Sequence, residues 1–199
     1  MKALLLFLLV AQAQGRPLFY WGARPAAIVT RVPAGEGIAA RVTEVHGVVD
    51  DGDLVLRVSF DRAVAETIYL PSGAPVSGRL RTALYVDGDV DRSTGWAAEA
   101  GDPRAGADYR IDLGVLALGA DPDEGIEAQA LVTVSAFALT PEGRQRTLWQ
   151  TDHLKSPGHV SIRGDAVEMR VPGDILSAVP SARIALVVDQ EGFEGSLSP

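Results

Sequence analysis

The run Asp87-Gly88-Asp89-Val90-Asp91-Arg92-Ser93-Thr94-Gly95 places three carboxylates within five residues, and Gly106-Ala107-Asp108-Tyr109 follows closely. Glycines at both ends let the backbone turn sharply. Aspartates at this spacing repel one another unless a cation neutralises them. Calcium, a hard cation, takes six to eight oxygens from carboxylates, carbonyls and water. The residue chemistry therefore points to a metal loop built from Asp87, Asp89, Asp91 and Asp108. A plain polar turn is the competing reading, because Asp and Gly are the common turn formers.

The loop is not an EF-hand. Asp87, Asp89 and Asp91 match that motif's first, third and fifth ligand positions, but its sixth position needs glycine and its twelfth needs glutamate; here they are Arg92 and Ala98. The preceding Leu80-Arg81-Thr82-Ala83-Leu84-Tyr85-Val86 alternates as a strand does. A site here is a strand-end loop that draws further ligands from elsewhere, with Asp108, Asp102 and backbone carbonyls nearest.

Other chemistry has less behind it. The chain has no cysteine, hence no thiolate nucleophile, and no Gly-x-Ser-x-Gly elbow. Its three histidines, His46, His153 and His159, fall in strands or loops, with His153 and His159 offering a weak zinc pair. Met169 is the one methionine after the leader, and its alternation with Val167 and Val171 assigns it to a core face rather than to haem. Asp87-Gly88-Asp89 also resembles the metal-binding pair of nucleotide-sugar glycosyltransferases, but no βαβ pattern accompanies it. Trp96 follows Thr94-Gly95 outside any alternating strand, so it is the candidate platform for stacking a sugar at the loop's rim.

The elements that must position these residues follow an N-terminal leader. Lys2, the apolar Ala3 to Val10 and the small-x-small Ala11-Gln12-Ala13 read as a signal peptide over 1–13, too short to span a bilayer. The expectation is an exported protein, secreted or periplasmic and bacterial, with no membrane span. Loss of Lys2 with the leader takes the formal net charge from -8 to -9. An acidic chain suits neither nucleic acid nor an anionic membrane.

About 185 residues remain, enough for one domain. The reading divides them into a partly irregular N-terminal segment 14–37, a domain over 38–190 and a tail over 191–199. Leu18-Phe19-Tyr20-Trp21 is an aromatic cluster expected to cover an edge of the core. Asp50-Asp51-Gly52-Asp53 is a hairpin signal, followed by the alternation of Leu54, Leu56, Val58 and Phe60. Loops are expected at 71–78 and 119–125. Tyr109, Ile111 and Leu113 alternate with Asp108, Arg110 and Asp112. A long apolar, β-branched segment at 128–140 and a returning segment at 144–151 flank a turn at Pro141-Glu142-Gly143, and a hairpin closes at Arg163-Gly164-Asp165-Ala166. Residues 173–178 suggest a short helical turn and 181–189 the last strand. Many short strands without a long amphipathic helix predict an all-β, jelly-roll-like antiparallel β-sandwich.

At this point the chain resembles the bacterial relatives of family 9 carbohydrate-binding modules, the DOMON-like group. The residues carrying the resemblance are Leu84-Tyr85-Val86-Asp87-Gly88-Asp89, Ser93-Thr94-Gly95, Gly106-Ala107-Asp108-Tyr109-Arg110-Ile111, Val167-Glu168-Met169-Arg170-Val171-Pro172 and the strand from Ile184 to Asp189. The resemblance implies a β-sandwich that is often calcium-bound and often binds sugars in service of a secreted enzyme. The family's opening Ile-Asp-Gly stretch is not visible in Ile28 to Val49, and its paired sugar-clamping tryptophans are not identifiable among Trp21, Trp96 and Trp149. The resulting expectation is an exported, non-catalytic module with a calcium loop and a carbohydrate partner. A secreted glycan hydrolase and a protein-interaction domain without a small ligand are the alternatives.

Overall fold

A computed structural model describes residues 16–19, 27–31, 42–67, 79–97, 99, 102, 104–118, 129–176, 182–188 and 191–197. The expected leader, Tyr20, Trp21 and the loops at 71–78 and 119–125 lie outside the described residues. The chain is an all-β single domain, as the alternation and turn signals led us to expect. Its strands are β1 (Ala27–Arg31), β2 (Val42–Asp50), β3 (Asp53–Phe60), β4 (Arg79–Asp87), β5 (Tyr109–Leu118), β6 (Gln129–Leu139), β7 (Gln145–Asp152), β8 (Val160–Arg163), β9 (Ala166–Val171), β10 (Ala182–Val188) and β11 (Glu191–Leu197).

Two antiparallel sheets form the sandwich. One runs β1-β2-β3-β9-β8 and the other β11-β10-β4-β5-β6-β7. The period-2 pattern assigns the faces. Leu54, Leu56, Val58 and Phe60 of β3 and Val167, Met169 and Val171 of β9 turn inward to meet Leu84 and Val86 of β4, Ile111, Leu113 and Val115 of β5, and Val132, Val134 and Ala136 of β6. Fully burying each Val, Leu or Ile side chain contributes about 1.5–3 kcal/mol, so this two-sheet core is the main stabilising element. Met169 is wholly buried within it and packs as a core side chain. Tyr109 packs against the same core, on the face opposite Arg110 and Asp112.

The hairpin at Asp50–Asp53 forms as expected, with Asp51 at φ 52° and Gly52 at φ 84°, the two left-handed residues that a type I′ turn requires. Residues 173–176, in the expected short helical turn, form turns with the Ile175 N–H donated to the Pro172 carbonyl at 3.1 Å, while 177–178 lie outside the described residues; Gly173 lies so close to the Gly52 carbonyl that a Cβ there would collide with it. Two features were not read from the sequence. A 3-10 turn, Val64–Glu66, follows β3. Glu191–Leu197, read as a tail, pairs with β10 along its length. Its two glycines and two glutamates among seven residues hide a strand, because they carry low β propensity.

Candidate metal centre

β4 delivers the site. Leu84 and Val86 face the core, so Tyr85 and Asp87 face outward, yet Asp87 is only 1% exposed. The loop from Gly88 to Asp108 leaves β4 and returns to β5, and its ends are stitched together. Gly88 N–H donates to Asp108 Oδ2 at 2.9 Å, and Asp108 N–H donates to the Val86 carbonyl at 2.9 Å. Midway, Trp96 N–H donates to the Ala107 carbonyl and Gly106 N–H to the Trp96 carbonyl, both at 2.8 Å. This close approach explains two of the glycines. A Cβ on Gly95 would stand 2.5 Å from the Gly106 carbonyl oxygen, and one on Gly106 would stand 2.5 Å from Arg92 Cα. Both also have positive φ, 62° and 83°.

Asp87, Asp89 and Asp108 each bring a carboxylate oxygen to within 4.8 Å of the others, forming a group able to hold a metal ion. Oxygens around one calcium at the usual 2.3–2.6 Å lie at most about 5 Å apart, a spacing that each pair in this group meets. The donors are all oxygen, which suits a hard cation and no soft one.

Asp91 and Asp102 do not join this group. The Asp91 carboxylate turns to Ser93, taking its N–H at 2.9 Å and its hydroxyl at 2.7 Å. What Asp91 contributes is its own N–H, shared between Asp87 Oδ1 at 3.2 Å and Asp89 Oδ1 at 2.9 Å. Asp102 is held by Arg104, with Nε 2.8 Å from Oδ1 and Nη2 2.5 Å from Oδ2. That guanidinium keeps the Asp102 carboxyl below the usual aspartate range.

The three carboxylates differ electrostatically. Burial pushes the Asp108 carboxyl above its ordinary value, and the Asp89 and Asp87 charges add to the rise against the opposing Gly88 N–H bond. Asp89, at the exposed rim, is lowered by the Asp91 N–H and the Thr94 hydroxyl, which lies 2.9 Å from its Oδ2. Val90, between two aspartates, holds φ 59°, a conformation that a β-branched residue rarely adopts.

Trp96 has a core to join after all. It is half-buried in a second, small cluster on the outer face of the six-stranded sheet, with Tyr85, Ala107, Ala83 and Leu139. The Tyr85 ring lies 5.6 Å from it at a 31° tilt, and the Arg104 guanidinium sits 4.6 Å over it. Gly143 presses on its indole edge, where a Cβ would stand 2.5 Å from Nε1. The sequence signal for this packing was Tyr85 itself, two residues before Asp87 on the same strand face.

The histidines are occupied elsewhere. His46 Nε2 is 3.0 Å from Glu44 Oε2. His153 Nδ1 accepts the Val132 N–H at 3.2 Å, while His159 Nδ1 lies 3.1 Å from the Arg170 carbonyl and the ring stands edge-on to Trp149. No family model, curated protein or solved structure matches the chain.

Proposed function

We propose that this chain is an exported, non-catalytic β-sandwich module whose acidic loop binds calcium. One observation carries the reading: Asp87, Asp89 and Asp108 converge within 4.8 Å although they come from the two ends of the loop that joins β4 to β5. Asp87 and Asp108 would be the anchored ligands and Asp89 the rim ligand, with water completing the shell. The ion would supply charge neutralisation and tie the end of β4 to the start of β5. Calcium is favoured over magnesium because its flexible coordination suits an irregular loop, whereas magnesium demands a near-ideal octahedron.

The carboxylates are braced by main-chain N–H groups and point at one another. That is a cation's environment rather than an acid and a base facing each other across a sugar. Trp96 is packed against Tyr85 and Arg104, which favours a structural role for it.

Titration calorimetry with calcium and with magnesium, on protein stripped by chelator, tests the reading. Saturable calcium binding at one site, with magnesium weaker, supports it. Absence of heat together with an unchanged melting midpoint would remove it.

A further inference from the structure

The main-chain bonds around Asp108 continue beyond the acidic loop. The Asp108 carbonyl accepts the Leu139 N–H at 2.7 Å, one step past the Tyr109–Ala138 pair of β5 and β6. Leu139 ends β6 and leads into the β6–β7 turn. That turn is closed by the Gly143 N–H, donated to the Thr140 carbonyl at 2.8 Å, and by the Thr140 N–H, donated to the Arg144 carbonyl at 3.0 Å. Pro141, within it, offers its carbonyl to the Ala97 N–H at 2.9 Å. Ala97 follows Trp96, whose N–H goes to the Ala107 carbonyl, and Ala107 adjoins Asp108. The contacts thus form a closed ring: Asp108, Leu139, Pro141, Ala97, Trp96, Ala107 and back to Asp108. The Trp96 indole presses on the turn at Gly143, where it leaves no room for a Cβ.

We propose that the acidic loop and the β6–β7 turn open and close as one unit latched at Trp96, so that whatever holds or loosens the turn sets whether Asp108 stands beside Asp87 and Asp89. Lifting the turn takes the Pro141 carbonyl from Ala97 and the Leu139 N–H from Asp108. It also takes Gly143 from the indole that fixes the middle of the loop. The strands next to the unit do not share this dependence. From Val86 and Tyr109 inward, β4 and β5 are held by ladder pairing and by the buried Leu84 and Ile111. Within the unit, Asp89 to Thr94, Ala97, Pro141 and Glu142 are exposed. Segments with little buried apolar surface and exposed main-chain bonds open at lower free energy than core strands. The device lies in the fold and needs no ion. Its calcium arm rests on the proposed ion site, because an opening that moves Asp108 dismantles that site.

Amide hydrogen exchange in chelator tests the unit. The Gly88, Ala97, Asp108 and Gly143 N–H groups are expected to share one protection, at least about tenfold below that of Val58 and Leu113 in the core. Gly143→Ala should speed Gly88 and Asp108 by the same factor as Ala97. Gly106→Ala places a Cβ 2.5 Å from Arg92 Cα at the acidic end, and should speed Gly143 by the factor it imposes on Gly88. Effects confined to the mutated end would overturn the proposal, as would unequal protections in the wild type or protection as strong as that of Val58. Calcium at about a hundred times its dissociation constant is expected to slow Gly143 and Gly88 alike, by about a hundredfold. Slowing at Gly88 alone would overturn the shared opening. Calorimetry on the same sample separates the two readings: absence of calcium heat removes the ion site, while the exchange in chelator still decides the unit.

Discussion

Gly88 and Asp108, twenty residues apart, are joined by an N–H donated to Oδ2 at 2.9 Å, and this bond brings the two ends of the acidic loop to one place. It places a partly buried carboxylate beside Asp87 and Asp89. On the proposed calcium reading, an ion held by the three would tie those two ends together.

Calcium is therefore expected to raise the melting midpoint. At a free concentration one hundred times the dissociation constant the gain is about 2.7 kcal/mol, or roughly 5–10 °C for a domain of this size. Asp87→Asn and Asp108→Asn should each remove most of that shift, whereas Asp91→Asn should retain it, because Asp91 serves the group through its main-chain N–H. Scanning calorimetry of the three variants with calcium and with chelator decides it; an equal loss in Asp91→Asn would restore that carboxylate to the ligand set.

The raised Asp108 carboxyl gives the apoprotein a pH dependence of known sign. A carboxyl whose folded pKa lies above its ordinary 3.8 contributes stability that is fully present below that value and lost as pH rises through the folded value. Asp89, which is lowered, acts oppositely, its contribution being lost as pH falls below 3.8. In chelator, Asp108→Asn should gain on the wild type as pH rises from about 4 toward neutrality. Excess calcium should reverse the ranking at neutral pH. Urea unfolding at stepped pH measures both, and a difference independent of pH would contradict the burial assigned to Asp108.

Much of this arrangement was legible because its signals are local. The alternation through Leu54, Leu56, Val58 and Phe60 named a face that is indeed buried, and Asp51-Gly52 named its turn. Asp87, Asp89 and Asp108 were legible as carboxylates near a strand end, but the orientation of Asp91 was not, because Ser93 competes for it within two residues. Alternation also says which face a residue takes without saying what covers that face. Val55 and Glu168 belong to the outer face of their sheet and are nonetheless buried. For Glu168 the covering segment is 150 residues away in sequence. For Trp96, alternation on β4 names the face that Tyr85 takes, but no period links Tyr85 to a residue in the loop beyond it.

Trp96 is expected to act on stability. Truncating a fully buried aromatic costs about 3–5 kcal/mol, so Trp96→Ala at a half-buried position should cost about 2–3 kcal/mol. Gly143→Ala should be destabilising too, because its Cβ would meet the indole 2.5 Å from Nε1 and φ is 75°. Urea unfolding followed by tryptophan fluorescence reads both. A near-wild-type midpoint for Trp96→Ala, with loss of retention on a glycan column, would return Trp96 to the role of sugar platform.

Val90 offers the opposite change. Its φ of 59° puts a β-branched side chain in the left-handed region, at a cost on the order of 1–3 kcal/mol. The side chain is 54% exposed, so little packing is lost when it is replaced. Asparagine tolerates this conformation far better, and Val90→Asn should stabilise the apoprotein by about 1 kcal/mol. The strain also bears on the ion. Val90 sits between Asp89 and Asp91, and its backbone conformation lets the Asp91 N–H reach both Asp87 and Asp89. If that conformation is present with and without calcium, relieving the strain stabilises both states equally and leaves the calcium dissociation constant unchanged. If instead the loop adopts it only when the ion is bound, Val90→Asn should tighten calcium binding by up to about tenfold, since about 1.4 kcal/mol corresponds to a factor of ten. The expected result is a higher melting midpoint in chelator with an unaltered calcium isotherm; tighter calcium binding with no change in chelator would assign the strain to the ion-bound loop.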